Sequence, residues 1–206
     1  MIFLTSSVGS VAAHLHKNFL AGKGYKSVLF IDTAAEPEIV NGDEWLQRDL
    51  QALREQEYQV DRYTVTGKTR EEVEAEIDRY DILYMCGGNT AYLLNQLQKT
   101  NTFSLIVEKV QGGKLYIGTS AGSIIAGPRL PDYFFDEMPE LEDTTCFNFV
   151  NFTLVPHWGD EYFRERYVGE RLQKVYKDTQ EPLLLLTDTQ YVQVGDDGFV
   201  RIINTV

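Results

Sequence analysis

Short apolar runs alternate with segments of helical periodicity along most of this 206-residue chain. Five runs have the length and the apolar or alternating character of β-strands: residues 2–5, 27–32, 58–65, 81–86 and 114–117. Five segments carry apolar residues at helical spacing: residues 8–20, 45–53, 69–77, 92–97 and 105–110. Strands that alternate with helices predict an α/β fold with right-handed crossovers and a mostly parallel, doubly wound sheet.

The pattern changes after residue 128. Residues 128–148 contain three prolines, many acids and the run Tyr133-Phe134-Phe135, which predicts a long loop of the kind that often binds ligands or covers a site. Among the remaining segments, residues 149–155 predict a strand, residues 160–177 a helix, and residues 183–186, 191–194 and 199–203 three short strands. Residues 195–198 predict a hairpin turn between the last two strands. Since no linker or repeat interrupts the chain, we expect a single domain over residues 1–206.

Composition excludes several classes of protein. The apolar share of 43% is typical of a globular chain, and the net charge of -12 repels nucleic acid and anionic membranes, so neither is expected as a partner. No apolar run reaches the roughly 18 residues of a membrane span, and the first residues lack a signal-peptide pattern, which favours a cytoplasmic location. Cys86 and Cys146 fit neither a disulfide framework nor a zinc motif, so no metal is expected.

The most informative motif is the Gly-x-Ser-x-Gly pentapeptide at residues 118–122, centred on Ser120. An apolar strand precedes it and a helix-compatible segment follows. This context is typical of a nucleophile held on a sharp strand-to-helix turn, whereas the pentapeptide alone also fits an ordinary turn. The helix start after Ser120 offers free N–H groups, including that of Ala121, to a developing oxyanion. Ser123 is the competing serine, for which capping or packing is the preferred interpretation.

A second glycine loop, Gly87-Gly88-Asn89, follows another buried strand. Open α/β sheets bind ligands at the carboxyl ends of their strands, so this loop and Ser120 are expected at the same edge. The Gly88 amide is a candidate second oxyanion donor, and Asn89 is a candidate helix cap and substrate contact. A phosphate-binding loop is the alternative, but neither of the usual phosphate-loop motifs is present.

The candidate base is His157, which follows an apolar strand, whereas His14 and His16 lie within the first predicted helix. For the acid that orients it, Asp188 is preferred because it follows the strand predicted over residues 183–186. Asp160 and Glu161 are the alternatives, although acids favour a helix start in any case. The order Ser120, His157, Asp188 differs from the usual α/β-hydrolase order, in which the acid precedes the histidine.

Four segments together resemble the aspartyl dipeptidase (peptidase E) family of serine peptidases: residues 87–90, 116–122, 151–157 and 187–194. The resemblance covers nearly the whole chain. It implies a fold similar to class I glutamine amidotransferases, a flavodoxin-like three-layer sandwich, and a Ser-His-acid triad without a cofactor. It also implies small peptide substrates, in particular dipeptides that begin with aspartate, and a homodimer with the site near the interface.

Two departures from the family pattern concern the acid and the substrate contact. The family's dipeptidases have a glutamate where this chain has Asp188, and the segment between His157 and Asp188 is several residues shorter here. That segment holds the family's arginine for the substrate's aspartate side chain. The candidates here are Arg166 and then Arg164, with two further arginines nearby: Arg171 and Arg129. On an α-helix, Arg164 and Arg171 share a face, and Arg166 is turned about 160–200° from it.

The expected function is therefore that of a serine-type dipeptidase. Two alternatives stay open at this point. One is a hydrolase of other small acyl or β-aspartyl substrates, and the other is a ligand-binding module that shares the fold without catalysis.

Overall fold

The structure of the chain is a computed structural model that describes residues 1–134, 138, 141–174 and 181–206. It contains nine strands in these residues: β1 Ile2–Thr5, β2 Ser27–Ile31, β3 Gln59–Tyr63, β4 Ile82–Met85, β5 Leu115–Thr119, β6 Thr153–Val155, β7 Leu183–Leu185, β8 Gln190–Val194 and β9 Val200–Asn204.

Seven α-helices connect or flank these strands in the described residues: α1 Val8–Leu15, α2 Glu44–Arg54, α3 Arg70–Ile77, α4 Thr90–Lys99, α5 Phe103–Gln111, α6 Ala121–Ile124 and α7 Glu161–Arg164. Two of the α-helices continue as π-helical segments: α1 over His16–Leu20 and α7 over Glu165–Arg171. The predicted capping box at α3 is confirmed, since Thr69 and Glu72 each bond the other's backbone N–H. Of the helix predicted over residues 160–177, residues 175–177 lie outside the described residues.

The main sheet has the strand order β3-β2-β4-β5-β1-β8-β9. Its first five strands are parallel, and the β8–β9 hairpin adds two antiparallel strands at one edge. The five parallel strands are arranged as in a flavodoxin-like sheet, with one difference. The position that the fifth strand along the chain usually occupies is taken here by the N-terminal strand β1. The predicted α/β fold with a mostly parallel, doubly wound sheet is thus confirmed.

The register of the parallel strands brings three loops to one edge. Met85, the last residue of β4, is paired with Gly118 of β5, and Thr5, the last residue of β1, is paired with Thr119. The segments that follow β4, β5 and β1 therefore start side by side at the carboxyl edge of the sheet. The glycine loop and Ser120, which the sequence predicts at one edge, belong to two of these segments.

Strands β6 and β7 form a separate two-stranded parallel sheet rather than joining the main one. The predicted strand over residues 149–155 is shorter in the structure, where only Thr153–Val155 is extended and paired. The reason is that the N–H groups of Phe147, Asn148, Phe149 and Val150 bond to carbonyls at the end of α6 and just after it. This backbone is consequently not available for strand pairing.

The described part of the excursion at residues 128–148 is packed against the domain. Arg129 and Thr145 form an isolated antiparallel bridge, and the chain on either side of them is tied by two further backbone bonds. Tyr133 and Phe134 are buried, while Phe135 of the same aromatic run lies outside the described residues. The excursion thus adds aromatic side chains to the structure next to the carboxyl edge.

One carboxylate, Asp49 of α2, is buried within this framework. It is 3% exposed, and it accepts hydrogen bonds from the Gly9 N–H at 3.0 Å and from the Tyr84 hydroxyl at 2.8 Å. It therefore joins α2 to α1 and to β4. Burial raises the pKa of Asp49 to about 6, against the hydrogen bonds from Tyr84 and Gly9, which lower it.

The raised pKa of Asp49 predicts a pH-dependent stability. The unfolded chain ionises this group near pH 4 and the folded protein near pH 6, so in this window the folded state holds the extra proton. This contribution to the free energy of unfolding falls as the pH rises from about 4 to 6 and is constant above. In Asp49→Asn this contribution is absent. Between pH 4 and pH 7, the free energy of unfolding of the variant should therefore rise relative to that of the wild type by up to about 3 kcal/mol.

Urea unfolding of both proteins at pH 4 and pH 7 measures this gain. The difference between the two proteins is the quantity of interest, since other titrating groups cancel in it. A difference that stays constant over this range, or that turns against the variant, would contradict the assignment.

Candidate active site

Ser120 is the single residue between strand β5 and helix α6. Its backbone has a φ of 49° and a ψ of -108°, a strained conformation that costs a non-glycine residue about 1–3 kcal/mol. Neighbouring backbone holds it in place. The Ser120 N–H donates to the Thr5 carbonyl at 3.0 Å, and the Ser120 carbonyl accepts from the N–H groups of Ser123 and Ile124. This is the sharp strand-to-helix turn that the sequence predicts.

The two glycines of the pentapeptide are required by close backbone contacts. A Cβ atom at Gly118 would lie 2.5 Å from the Gly122 carbonyl oxygen, and one at Gly122 would lie 2.2 Å from the Met85 carbonyl oxygen. Ser123, the competing serine, is fully buried, and its hydroxyl donates to the carbonyls of Thr5 and Gly118 at 2.8 Å each. Ser123 therefore packs the turn, as the sequence predicts, and Ser120 remains the serine at the sheet edge.

The structure brings Ser120, His157 and Asp188 into one hydrogen-bonded chain. His157 Nε2 lies 3.0 Å from Ser120 Oγ, and His157 Nδ1 lies 2.8 Å from Asp188 Oδ1. The side chain of His157 is 14% exposed and that of Asp188 is 31% exposed. A serine hydroxyl that contacts an imidazole oriented by a carboxylate is the arrangement that activates a serine nucleophile.

The small β6–β7 sheet explains why His157 and Asp188 meet. His157 follows the end of β6, and Asp188 follows β7 by three residues. The parallel pairing continues past both strands. The Leu186 N–H donates to the Val155 carbonyl at 2.9 Å, and the Trp158 N–H donates to the Leu186 carbonyl at 3.0 Å. One parallel pair thus brings the two candidate residues together, with His157 after its first strand and Asp188 after its second.

Two residues that the sequence analysis did not identify hold His157. The ring of Phe163 stacks on the imidazole, with 4.3 Å between ring centroids and an angle of 11° between the planes. The Ser6 hydroxyl, at the end of β1, accepts the His157 backbone N–H at 2.6 Å and donates to Asp188 at 2.5 Å. The available signal was that Ser6 follows a strand predicted to end at the same sheet edge as Ser120.

The carboxyl group of Asp188 is ionised more readily than usual. Burial opposes ionisation, but hydrogen bonds from His157 and Ser6 and the charges of His157 and Arg48 outweigh it, so its pKa lies below the ordinary value. Asp188 is therefore a negative partner for the imidazole over the neutral pH range.

The alternative acids have other contacts. Asp160 caps helix α7, where its side chain accepts the Tyr162 N–H at 2.8 Å. Glu161 is exposed and pairs with Arg164 at 3.1 Å. Of the three acids considered from the sequence, Asp188 is the one with a direct hydrogen bond to the His157 ring.

The two amides predicted as oxyanion donors have no hydrogen-bond partner among the described residues. Neither the Gly88 nor the Ala121 N–H donates a hydrogen bond to another described group. Gly88 has a φ of 130°, and a Cβ atom there would lie 2.2 Å from the Ala34 carbonyl oxygen, so the position accepts only glycine. The Asn89 side chain caps α4 by accepting the Tyr92 N–H at 2.8 Å, which leaves its NH₂ group for other contacts.

A cavity of about 390 Å³ lies over the three candidate residues and the glycine loop. Its wall carries aromatic rings as well as charges of both signs. The aromatic residues are Trp45, Phe134, Tyr162, Phe163 and Tyr167, the cations are Arg48, Arg166 and Arg171, and the acids are Glu38, Asp49, Asp160 and Asp188. A pocket of this size, lined by both aromatic rings and charged groups, suits a small polar ligand.

The candidate arginines fall into two groups. Arg166 and Arg171 line the cavity, whereas Arg164 pairs with Glu161 outside it and Arg129 forms an exposed pair with Asp132. The predicted α-helical spacing, which put Arg166 on a different face from Arg171, is wrong. Residues 165–171 form a π-helix, in which each turn closes at i+5, so these two arginines are one turn apart.

Arg171 is an unusual cation because it is only 8% exposed. Its guanidinium lies 4.6 Å from the ring centroid of Phe134, 5.0 Å from that of Tyr133 and 5.5 Å from that of Tyr167. Cation–π contacts of this kind stabilise a desolvated guanidinium. Arg171 is therefore held by the excursion and the π-helix together.

Arg48 is a cavity residue that the sequence analysis missed. It lies on α2, three residues after Trp45, which also lines the cavity. The sequence signal for Arg48 is its spacing from Trp45, which places both residues on one face of α2. Arg48 also contributes to the lowered pKa of Asp188 through its charge.

In the described part of the chain, no group of three His, Cys, Asp or Glu residues is arranged to hold a metal ion. No described helix has both the length and the apolar character needed to span a membrane. Cys86 and Cys146 are both free and buried.

Comparisons with known proteins identify the family of this chain. The sequence model of peptidase family S51 matches residues 2–202. An uncharacterized peptidase of Pasteurella multocida (strain Pm70) is 31% identical over 201 residues, which is 95% of this chain and 94% of that protein. Peptidase E of Shewanella sp. (strain ANA-3) is 40% identical over 103 residues, 48% of this chain and 42% of that protein.

A solved structure supports the same assignment. The 1.5 Å crystal structure of a candidate peptidase E from Listeria monocytogenes EGD-e superposes with a TM-score of 0.84 at 27% identity, over 98% of this chain and 97% of that one. The family model matches nearly the full length of the chain, and the sharp strand-to-helix turn at Ser120 is of a kind that serine hydrolases share. The chain therefore belongs to peptidase family S51 and is a serine-type peptidase.

Proposed function

We propose that this peptidase hydrolyses small peptides, in particular dipeptides that begin with aspartate, through Ser120, His157 and Asp188. The observation that carries the proposal is the 3.0 Å contact between His157 Nε2 and Ser120 Oγ beneath the cavity. In this arrangement the base is within reach of the proton that it must remove.

The acylation step uses the hydrogen-bonded chain. Ser120 Oγ attacks the scissile carbonyl carbon while its proton passes to His157 Nε2. The Nδ1–H of the imidazolium stays hydrogen-bonded to Asp188, and the negative charge of Asp188 stabilises the imidazolium. The carbonyl oxygen becomes an oxyanion, and the N–H groups of Gly88 and Ala121 donate to it.

Collapse of this intermediate completes the first half of the reaction. The scissile C–N bond breaks, and the leaving amine takes the proton from His157 Nε2. A water molecule, deprotonated by His157, then attacks the acyl-enzyme ester and releases the acyl group from Ser120. Each proton that His157 accepts is returned, so the site ends in its starting state without a cofactor.

The cavity supports a small anionic substrate. A volume of about 390 Å³ is near the lower end of the range for small-ligand sites. A carboxylate that leaves water needs a charge-assisted partner, and a guanidinium offers a bidentate one. Arg166 is the proposed partner, with Asn89 as a neighbouring contact, whereas Arg164 is not placed at the cavity.

The expectations about partners stay predictions. These are a homodimer with the site near the interface, the absence of nucleic-acid and membrane partners, and a cytoplasmic location. Other small acyl or β-aspartyl substrates and a non-catalytic module are outcomes that the following experiments distinguish.

Loss of the nucleophile or the base should abolish turnover. We expect Ser120→Ala and His157→Ala each to lower kcat for Asp-Leu by roughly 10⁴-fold or more, because either change stops formation of the acyl-enzyme. His14→Ala is the matched control and should keep its turnover, since His14 lies on α1 outside the cavity and bonds to Tyr191. Circular dichroism checks folding. Near-normal hydrolysis by folded Ser120→Ala or His157→Ala would contradict the mechanism.

The assignment of the acid predicts unequal effects of two matched substitutions. Asp188→Asn removes the negative partner of the His157 ring and should lower kcat by roughly 10⁴-fold. Asp160→Asn keeps a side-chain oxygen for the helix cap and should cost less than about tenfold. Steady-state kinetics on Asp-Leu separates the two. If Asp160→Asn is the more damaging change, the acid has been assigned to the wrong residue.

The specificity proposal concerns the arginines. Wild-type protein should prefer Asp-Leu to Ala-Leu, and Arg166→Met should reduce this preference by about 3 kcal/mol, or roughly 100-fold in kcat/KM, because a carboxylate is left unpaired. Arg164→Met removes an equivalent charge from the same helical segment outside the cavity and should leave the preference unchanged.

Two results would contradict this proposal in different ways. If Arg48→Met or Arg171→Met, and not Arg166→Met, removes the preference, the carboxylate binds elsewhere in the cavity. If the wild type hydrolyses peptides or β-aspartyl substrates without favouring N-terminal aspartate, the aspartyl specificity is wrong while the serine mechanism stands.

A further inference from the structure

The end of strand β1 holds a buried serine in contact with two of the proposed catalytic residues. Ser6 follows Thr5, the last residue of β1, and its side chain is fully buried. Its hydroxyl oxygen accepts the backbone N–H of His157 at 2.6 Å, and its O–H donates to Asp188 Oδ1 at 2.5 Å. It also lies 3.4 Å from His157 Nδ1. One hydroxyl thus bonds the backbone of the base and the side chain of the acid.

These two bonds connect separate parts of the fold. His157 and Asp188 follow the two strands of the small β6–β7 sheet, whereas Ser120 follows β5 of the main sheet. β1 is the direct neighbour of β5 in the main sheet, and the Thr5 carbonyl accepts the Ser120 N–H. Ser6 is therefore fixed relative to Ser120 by backbone pairing, and its hydroxyl fixes the base and the acid relative to itself.

The contacts also define the orientation of each partner. Asp188 Oδ1 accepts from both Ser6 and the His157 ring, so the carboxylate is held from two directions. His157 has a φ of 59°, which a non-glycine residue adopts only when its surroundings hold it, and its N–H bond to Ser6 is one such restraint. A base displaced by 1 Å can lose about 100-fold in rate even when every group is present.

We infer that Ser6 is a positioning residue, which sets the His157–Asp188 pair at bonding distance from Ser120. The inference rests on the proposed function of these three residues. Ser6 takes no proton and forms no bond to the substrate in this account. Its contribution is to keep Nε2 aimed at Oγ during acylation and again during attack by water.

Ser6→Ala tests this role. It removes both hydrogen bonds with little change in volume, so we expect kcat for peptide hydrolysis to fall by about 100-fold while KM stays within about twofold. Proton NMR of the folded variant should also lose or shift the downfield resonance of the His157 Nδ1 proton that is shared with Asp188. A purely structural serine would leave this resonance and kcat in place.

Thr33→Val is the matched control for the loss of a buried hydroxyl. Thr33 is fully buried, and its hydroxyl bonds to Val65 N–H and Thr64, away from the cavity lining. The control should lose stability in urea while keeping kcat and the downfield proton. If Ser6→Ala does not fold, Ser6→Cys fills the same space with a weak hydrogen-bonding group, and the same loss of kcat is expected.

The outcomes separate the inference from the proposed function. If folded Ser6→Ala and Ser6→Cys keep kcat within about threefold of the wild type with the downfield proton unshifted, Ser6 does not position the pair. If kcat falls equally in Thr33→Val, the effect is one of general stability and the inference is also wrong. Failure of the proposed function gives a different result, since then Ser120→Ala would hydrolyse peptides as fast as the wild type.

Discussion

The backbone at Ser120 must turn from a parallel strand into a helix within one residue, and much of the sheet edge is built around this turn. The positive φ of Ser120 is maintained by its N–H bond to Thr5 and by the helix that starts immediately after it. The turn brings α6 so close to β4 that no side chain fits at Gly122. The same geometry leaves the Ala121 N–H at the helix start without a partner in the described residues, next to the serine hydroxyl.

His157 and Asp188, the proposed base and acid, depend on a different element. The β6–β7 pair is outside the main sheet, so its position relative to Ser120 depends on side-chain packing and on hydrogen bonds beyond the strands, and not on strand pairing. Ser6 supplies two of these contacts, and the stacked ring of Phe163 covers the imidazole from the side of α7. The proposed catalytic geometry therefore requires three parts of the chain that are far apart in sequence to meet at one edge.

Sequence could predict the parts of this site that follow from local patterns. The strand-turn-helix context identifies Ser120, and strand ends place Gly88, His157 and Asp188 at one edge because parallel strands share a direction. The rest depends on packing that no local pattern encodes. The π-helix that brings Arg166 and Arg171 to the same cavity is an example, since the α-helical period predicts different faces for them. The contacts of Ser6 are another, because they join residues 151 and 182 positions apart.

The central claim, that Ser120 is an activated nucleophile, is tested most directly by reaction with a fluorophosphonate, which modifies serines that have a functioning base. Mass spectrometry of the digested protein locates the modified residue without any assumption about the peptide substrate. We expect one phosphonyl group per chain, on Ser120, and strongly reduced labelling in His157→Ala. Folded wild-type protein that is not labelled, or that is labelled at Ser123 or Ser6 instead, would contradict it.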